Sequence, residues 1–111
     1  MMVLKAAKAM DVLGNSQARV WVSAIKAMVP VRVCQIIDEA IQIHGATGIS
    51  QWTPLGDMYA GQRTLRLADG PDEVHWFVVG RSELARWSED GARDYNPKEE
   101  YAALHQAFSG P

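Results

Sequence analysis

The sequence predicts an all-α chain. Apolar residues recur at steps of three and four through its long segments, helix start and stop signals separate those segments, and no stretch shows the strict alternation of a strand. With 111 residues, 48% of them hydrophobic and 22% charged, one globular domain with a modest core is expected rather than a disordered chain.

The first segment, "MVLKAAKAMDVL", already has helical spacing, with Val3, Ala6 or Ala7, Met10 and Leu13 on one side, and no capping residue precedes it. "GNS" at Gly14 to Ser16 supplies a stop and a new cap. A second helix is expected over residues 17–44. One apolar row comprises Val20, Ala24, Ala27, Val31, Cys34, Asp38 and Ile41; a second comprises Trp21, Ile25, Met28, Ile36, Ala40 and Ile43. So wide an apolar surface calls for neighbours on more than one side. Pro30 should bend this helix, because it removes one backbone hydrogen bond.

"HGATGISQWTP" reads as a loop, followed by a short helix over 54–65, a break at "ADGP" and a further helix over 71–87. Pro71 suits a first helical position, with Asp72 and Glu73 favourable beside the positive helix end. Val74, Phe77, Val78, Arg81 and Leu84 or Ala85 should give it an apolar side. Residues 88–96 are polar, and "NPKEEYAALHQAF" predicts a short terminal helix capped by Asn96, with Glu99 closing a capping box.

The formal net charge of −2 argues against general nucleic-acid binding. Cys34, the single cysteine, excludes an internal disulfide and is expected to pack as a small hydrophobe, which fits a reducing, cytoplasmic compartment. No uninterrupted apolar run reaches the roughly 20 residues of a membrane span, and the N-terminus lacks a signal-peptide pattern. His44, His75 and His105 have no partners at metal-ligand spacing, so no metal site is expected.

Two places could carry chemistry. The glycines of "QIHGATG" would let a phosphate approach the backbone, or they are simply a helix stop. Asp69, just before a helix start, is either a cap or a placed carboxylate. The residues by themselves leave both choices open.

Taken together, "QIHGATG" and "MYAGQRTLRLADGPDEVHW" resemble the C-terminal helical domain of the acyl-CoA dehydrogenase family. That domain has a Gln-x-x-Gly-Gly-x-Gly loop after a long helix and, further on, a Tyr-Glu-Gly-Thr element that opens another helix. The subgroup most resembled is that of family members 10 and 11, where aspartate takes the base position. The likeness runs from about Val3 to Arg86. It implies α,β-desaturation of an acyl-CoA thioester with FAD as cofactor. Asp69 would take the α-proton, its N–H would help bind the thioester carbonyl, and Gly70 would allow close approach. Gln42, Gly45 and Gly48 would touch the adenosine-diphosphate half of FAD, often that of a neighbouring subunit, and Glu73 stands where a family glutamine meets the cofactor. A homodimer or higher oligomer is thereby implied. Three positions depart from the pattern: Ala46 for the second loop glycine, Asp69 for glutamate and Pro71 for threonine.

The resemblance assigns residues 1–87 to about three helices of the family's C-terminal four-helix bundle, and 88–111 to a polar tail with a short helix. The flavin-cradling β-domain has no counterpart here. The expectation is therefore a portion of a complete enzyme, or a short product needing a partner chain for the missing domains. The alternative is a non-catalytic helical oligomerisation module derived from the same family.

Overall fold

The computed structural model describes residues 1–87 and 97–109, and all regular structure among them is helical. Helix α1 spans Met2–His44, α2 Ala46–Ile49, α3 Leu55–Thr64, α4 Asp72–Arg86 and α5 Pro97–Ser109. The all-α class is as predicted. The expected Asn96 cap and the polar stretch 88–96 lie outside the described residues.

Gly14, at φ 76° and ψ 166°, interrupts α1 where the stop was expected. Pro30 keeps helical backbone angles, and the one departure along α1 is at Gly14. The loop expected after His44 is not wholly irregular, since it contains the single turn α2.

The chain forms two compact units, one of Met1–Ile25 with Phe77–Pro111 and one of Lys26–Trp76. In the first, the buried apolar residues are small: Ala6, Ala9 and Ala18. The apolar side expected on α4 is largely uncovered there, with Phe77 67% and Leu84 74% exposed.

In the second unit, Ala27, Pro30, Cys34 and Ile37 form the buried stripe of α1, at steps of three, four and three. This corrects the two rows read from the sequence. Ala27 and Cys34 belong to the stripe, whereas Asp38, Ile36 and Ile43 lie on the surface. With apolar residues on so many sides, periodicity cannot choose the face that is covered; the neighbouring elements do. Cys34 is buried and free, packing as expected.

Ile37 and Ile36 are therefore opposites in neighbouring positions, one 4% and the other 65% exposed. Ile37→Ala should cost about 2–4 kcal/mol and Ile36→Ala less than about 0.5 kcal/mol, read from urea unfolding of the two variants.

Candidate functional site

All six candidate residues, Gln42, Gly45, Gly48, Asp69, Gly70 and Glu73, fall within the unit Lys26–Trp76. They occupy two turns, one after α1 and one between α3 and α4.

The second turn begins where α3 runs out of helical partners. The N–H groups of Leu67 and Ala68 both donate to Thr64 O at 2.9 Å. The chain then reverses through Asp69 at φ 55° and Gly70 at φ 96°, two consecutive residues in the left-handed region. Aspartate is among the few side chains found there with any frequency, because its short polar arm reduces the clash. Gly70 is further constrained, since a Cβ would meet His75 Nε2 at 3.1 Å.

Three groups hold this turn. Lys26, from the middle of α1, donates from Nζ to Leu65 O, to Ala68 O at 2.7 Å and to Gly70 O at 3.4 Å. Arg66 Nε donates to Asp72 Oδ2 at 2.6 Å, and Asp72 N–H returns to Arg66 O at 3.2 Å. His75 Nε2 donates to Asp69 O at 3.1 Å. Asp72 is buried, and its carboxylate raises the Arg66 guanidinium above its ordinary pKa, chiefly through that hydrogen bond. A cation with a raised pKa adds stability at every pH below its unfolded value and loses it only above. Arg66 therefore acts as a constant charge at any working pH.

The capping role left open for Asp69 is not the one observed. Asp72 N–H is satisfied by Arg66 O, and the N–H groups of Val74 and His75 go to Pro71 O at 3.0 and 3.4 Å. Asp69 is exposed, and neither its carboxylate nor its N–H has a hydrogen-bond partner among the described residues. Glu73 is exposed in the first turn of α4.

The first turn is built for close approach. Gly45, at φ 60°, turns the chain out of α1, and its N–H donates to Gln42 O at 3.2 Å. Gly48 is buried, and a Cβ there would sit 2.6 Å from Ile41 O. Its lack of a side chain thus lets α2 fold back onto the end of α1. His44 Nδ1 donates to Ala40 O at 2.8 Å, one turn back at the end of α1. Thr53 Oγ1 closes the turn on Gly48 O at 3.0 Å, and Ser50 Oγ on Thr47 O at 2.7 Å. On the outer side, Gln42 is exposed with no partner for its amide among the described residues, and nothing lies within 4 Å of a Cβ built at Gly45. An open backbone beside a free amide fits the polar half of a dinucleotide.

Residues 1–84 match the family model described as "Acyl-CoA dehydrogenase, C-terminal domain". The chain belongs to the acyl-CoA dehydrogenase family. It is 52% identical over 84 residues to acyl-CoA dehydrogenase family member 11 of Rattus norvegicus, an alignment covering 76% of this chain and 11% of that protein. With the Mycobacterium tuberculosis protein named probable acyl-CoA dehydrogenase FadE2 it shares 50% over 82 residues, 74% of this chain and 20% of the relative. A solved structure from Mycobacterium abscessus, of a protein assigned as an acyl-CoA dehydrogenase, superposes with a TM-score of 0.77 at 49% identity. It covers 78% of this chain and 21% of that one. The chain thus spans about a tenth to a fifth of the length of these relatives.

Family membership accounts for α1. By length and composition alone this helix could cross a bilayer. Lys26 and Arg32 interrupt its apolar stretch, Arg32 Nη1 donating to Gln35 Oε1 at 3.0 Å, and in an acyl-CoA dehydrogenase C-terminal domain such a helix is a bundle element. Four residues of the site went unread in the sequence: Lys26, Arg66, Asp72 and His75. Asp72 was assigned only a dipole role. The available signal for Lys26 was a cation within the apolar stretch of α1, a position that demands an anionic or carbonyl partner.

The left-handed φ of Asp69 sets its tolerance. Asp69→Asn should leave thermal stability within about 0.5 kcal/mol, whereas Asp69→Val should lose about 1–2 kcal/mol, compared by thermal unfolding of this chain.

Proposed function

We propose that this chain is the C-terminal portion of a flavin-dependent acyl-CoA dehydrogenase and supplies the proton-abstracting base, Asp69. The observation that carries the reading is the state of that residue. An exposed carboxylate, free of any capping bond, is held on a turn whose backbone is tied down on three sides.

In this reading Asp69 removes the α-proton of the thioester, and the electron pair left behind develops enolate character on the thioester oxygen. The free N–H of Asp69 is a hydrogen-bond donor for that oxygen, where developing charge is best stabilised. Gly70 carries no side chain to obstruct the acyl group beside the base. FAD, when bound, supplies the acceptor for the β-hydrogen, which leaves as hydride to give the 2-enoyl thioester.

Gln42 and the open backbone at Gly45 would hold the adenosine-diphosphate half of FAD, with Gly48 shaping the turn from inside. A carboxylate accepts hydrogen bonds, so Glu73 would meet a hydroxyl of the cofactor where a glutamine could also donate. Pro71 has no N–H to offer. The base turn and the dinucleotide turn both need surfaces that other domains or subunits provide.

In the flavin-loaded enzyme carrying this segment, Asp69→Asn should lower kcat by at least about 100-fold while acyl-CoA still binds. Steady-state kinetics with a titration of the flavin spectrum would measure both. Turnover within a few-fold of the unaltered enzyme would remove Asp69 from the role.

A second reading, an oligomerisation module without catalysis, draws on Ile36, Ile43, Trp52 and Leu67, which are 65%, 83%, 90% and 62% exposed. Large exposed apolar side chains are the material from which association sites are built. Sedimentation of this chain alone at micromolar concentration should show self-association if that reading holds, and a stable monomer contradicts it.

A further inference from the structure

We propose that Lys26 is the positioning residue of this site, orienting and polarising the peptide group whose N–H faces the substrate oxygen. The inference rests on the reading of Asp69 as the base and names the residue behind it.

The ammonium of Lys26 reaches three carbonyls, those of Leu65, Ala68 and Gly70. An ammonium has three donors, so its whole capacity is directed at this one turn. Two of the carbonyls flank Asp69. The Ala68 carbonyl and the Asp69 N–H belong to the same peptide unit, which is planar and trans, so they point in opposite directions. Anchoring Ala68 O at 2.7 Å therefore aims the Asp69 N–H away from Lys26, and that N–H has no acceptor among the described residues. The next peptide unit is bonded too, since His75 Nε2 donates to Asp69 O. A hydrogen bond from a cation to a peptide carbonyl draws electron density toward the oxygen, which strengthens the N–H at the other end as a donor. The left-handed angle of Asp69 makes the turn costly to hold, and Lys26 supplies charge-assisted bonds across it.

A lysine that merely closed the end of α3 would affect stability alone. The test separates the two roles in the flavin-loaded enzyme. Lys26→Met is expected to lower kcat by about 10- to 100-fold with KM changed less than about threefold, the pattern of an interaction stronger in the transition state. Lys26→Arg, which keeps the charge, should recover most of the loss. In the Asp69→Asn background, the infrared stretch of a ¹³C-labelled thioester carbonyl should lie closer to its solution frequency once Lys26 is Met; the probe is the fastest-turned-over member of a straight-chain acyl-CoA series. In this chain by itself, amide exchange at Ala68 and Asp72, whose N–H groups are bonded within the turn, should accelerate at least about tenfold in Lys26→Met, with the rest of α4 unchanged. If Lys26→Met does not fold, Lys26→Gln takes its place, with the same direction expected in kcat and carbonyl frequency. A folded Lys26 variant with unaltered kcat and carbonyl frequency, beside an inactive Asp69→Asn enzyme, overturns the positioning role and leaves the base reading standing. An active Asp69→Asn enzyme overturns both.

Discussion

The hydrogen bonds from Lys26 to the turn after α3 are the constraint on which the candidate site depends. A helix end leaves carbonyls without partners and a partial negative charge, and a backbone reversal through the left-handed Asp69 adds strain. Bringing one ammonium from α1 to Leu65, Ala68 and Gly70 answers both demands. Around the turn, Lys26, Arg66, Asp72 and His75 are all engaged with one another or with its backbone, whereas the carboxylates of Asp69 and Glu73 are exposed.

The two turns divide their labour differently. At the turn after α1, glycine works twice, with Gly45 open to its surroundings and Gly48 filled from within by Ile41 O. The same letter in the motif thus stands for access in one place and for packing in the other. At the base turn, Gly70 is set by both its φ of 96° and the nearby His75 ring. Spacing in the sequence records that glycines are needed; only the surroundings say what each one admits.

Much of the architecture was legible because its signals are local. The stop at Gly14, the break at Ala68 to Pro71 and the start of α5 at Pro97 follow from backbone chemistry confined to a few residues. The buried face of α1 was not legible in the same way. Ile36 and Ile37 are equally apolar, and what covers one and not the other lies elsewhere in the fold. Likewise Lys26 lies 42 residues from Ala68, and no periodicity links the two. The motifs identified the turn that carries the acid; the residues that hold it came from tertiary proximity.

On the proposed reading of Asp69 as the base, aspartate in place of the family's glutamate is compatible with these same constraints. A left-handed residue accepts aspartate more readily than most side chains, so the backbone angle and the shorter carboxylate are compatible choices. The cost is reach, one methylene less between backbone and proton. A shorter arm leaves less freedom to search for the α-carbon, so the backbone itself must be placed more closely to the substrate. That shifts the burden of positioning from the side chain to the turn, and hence to Lys26 and His75, which grip the carbonyls on either side of Asp69 Cα. Aspartate at this position and a heavily anchored backbone are therefore two parts of one solution.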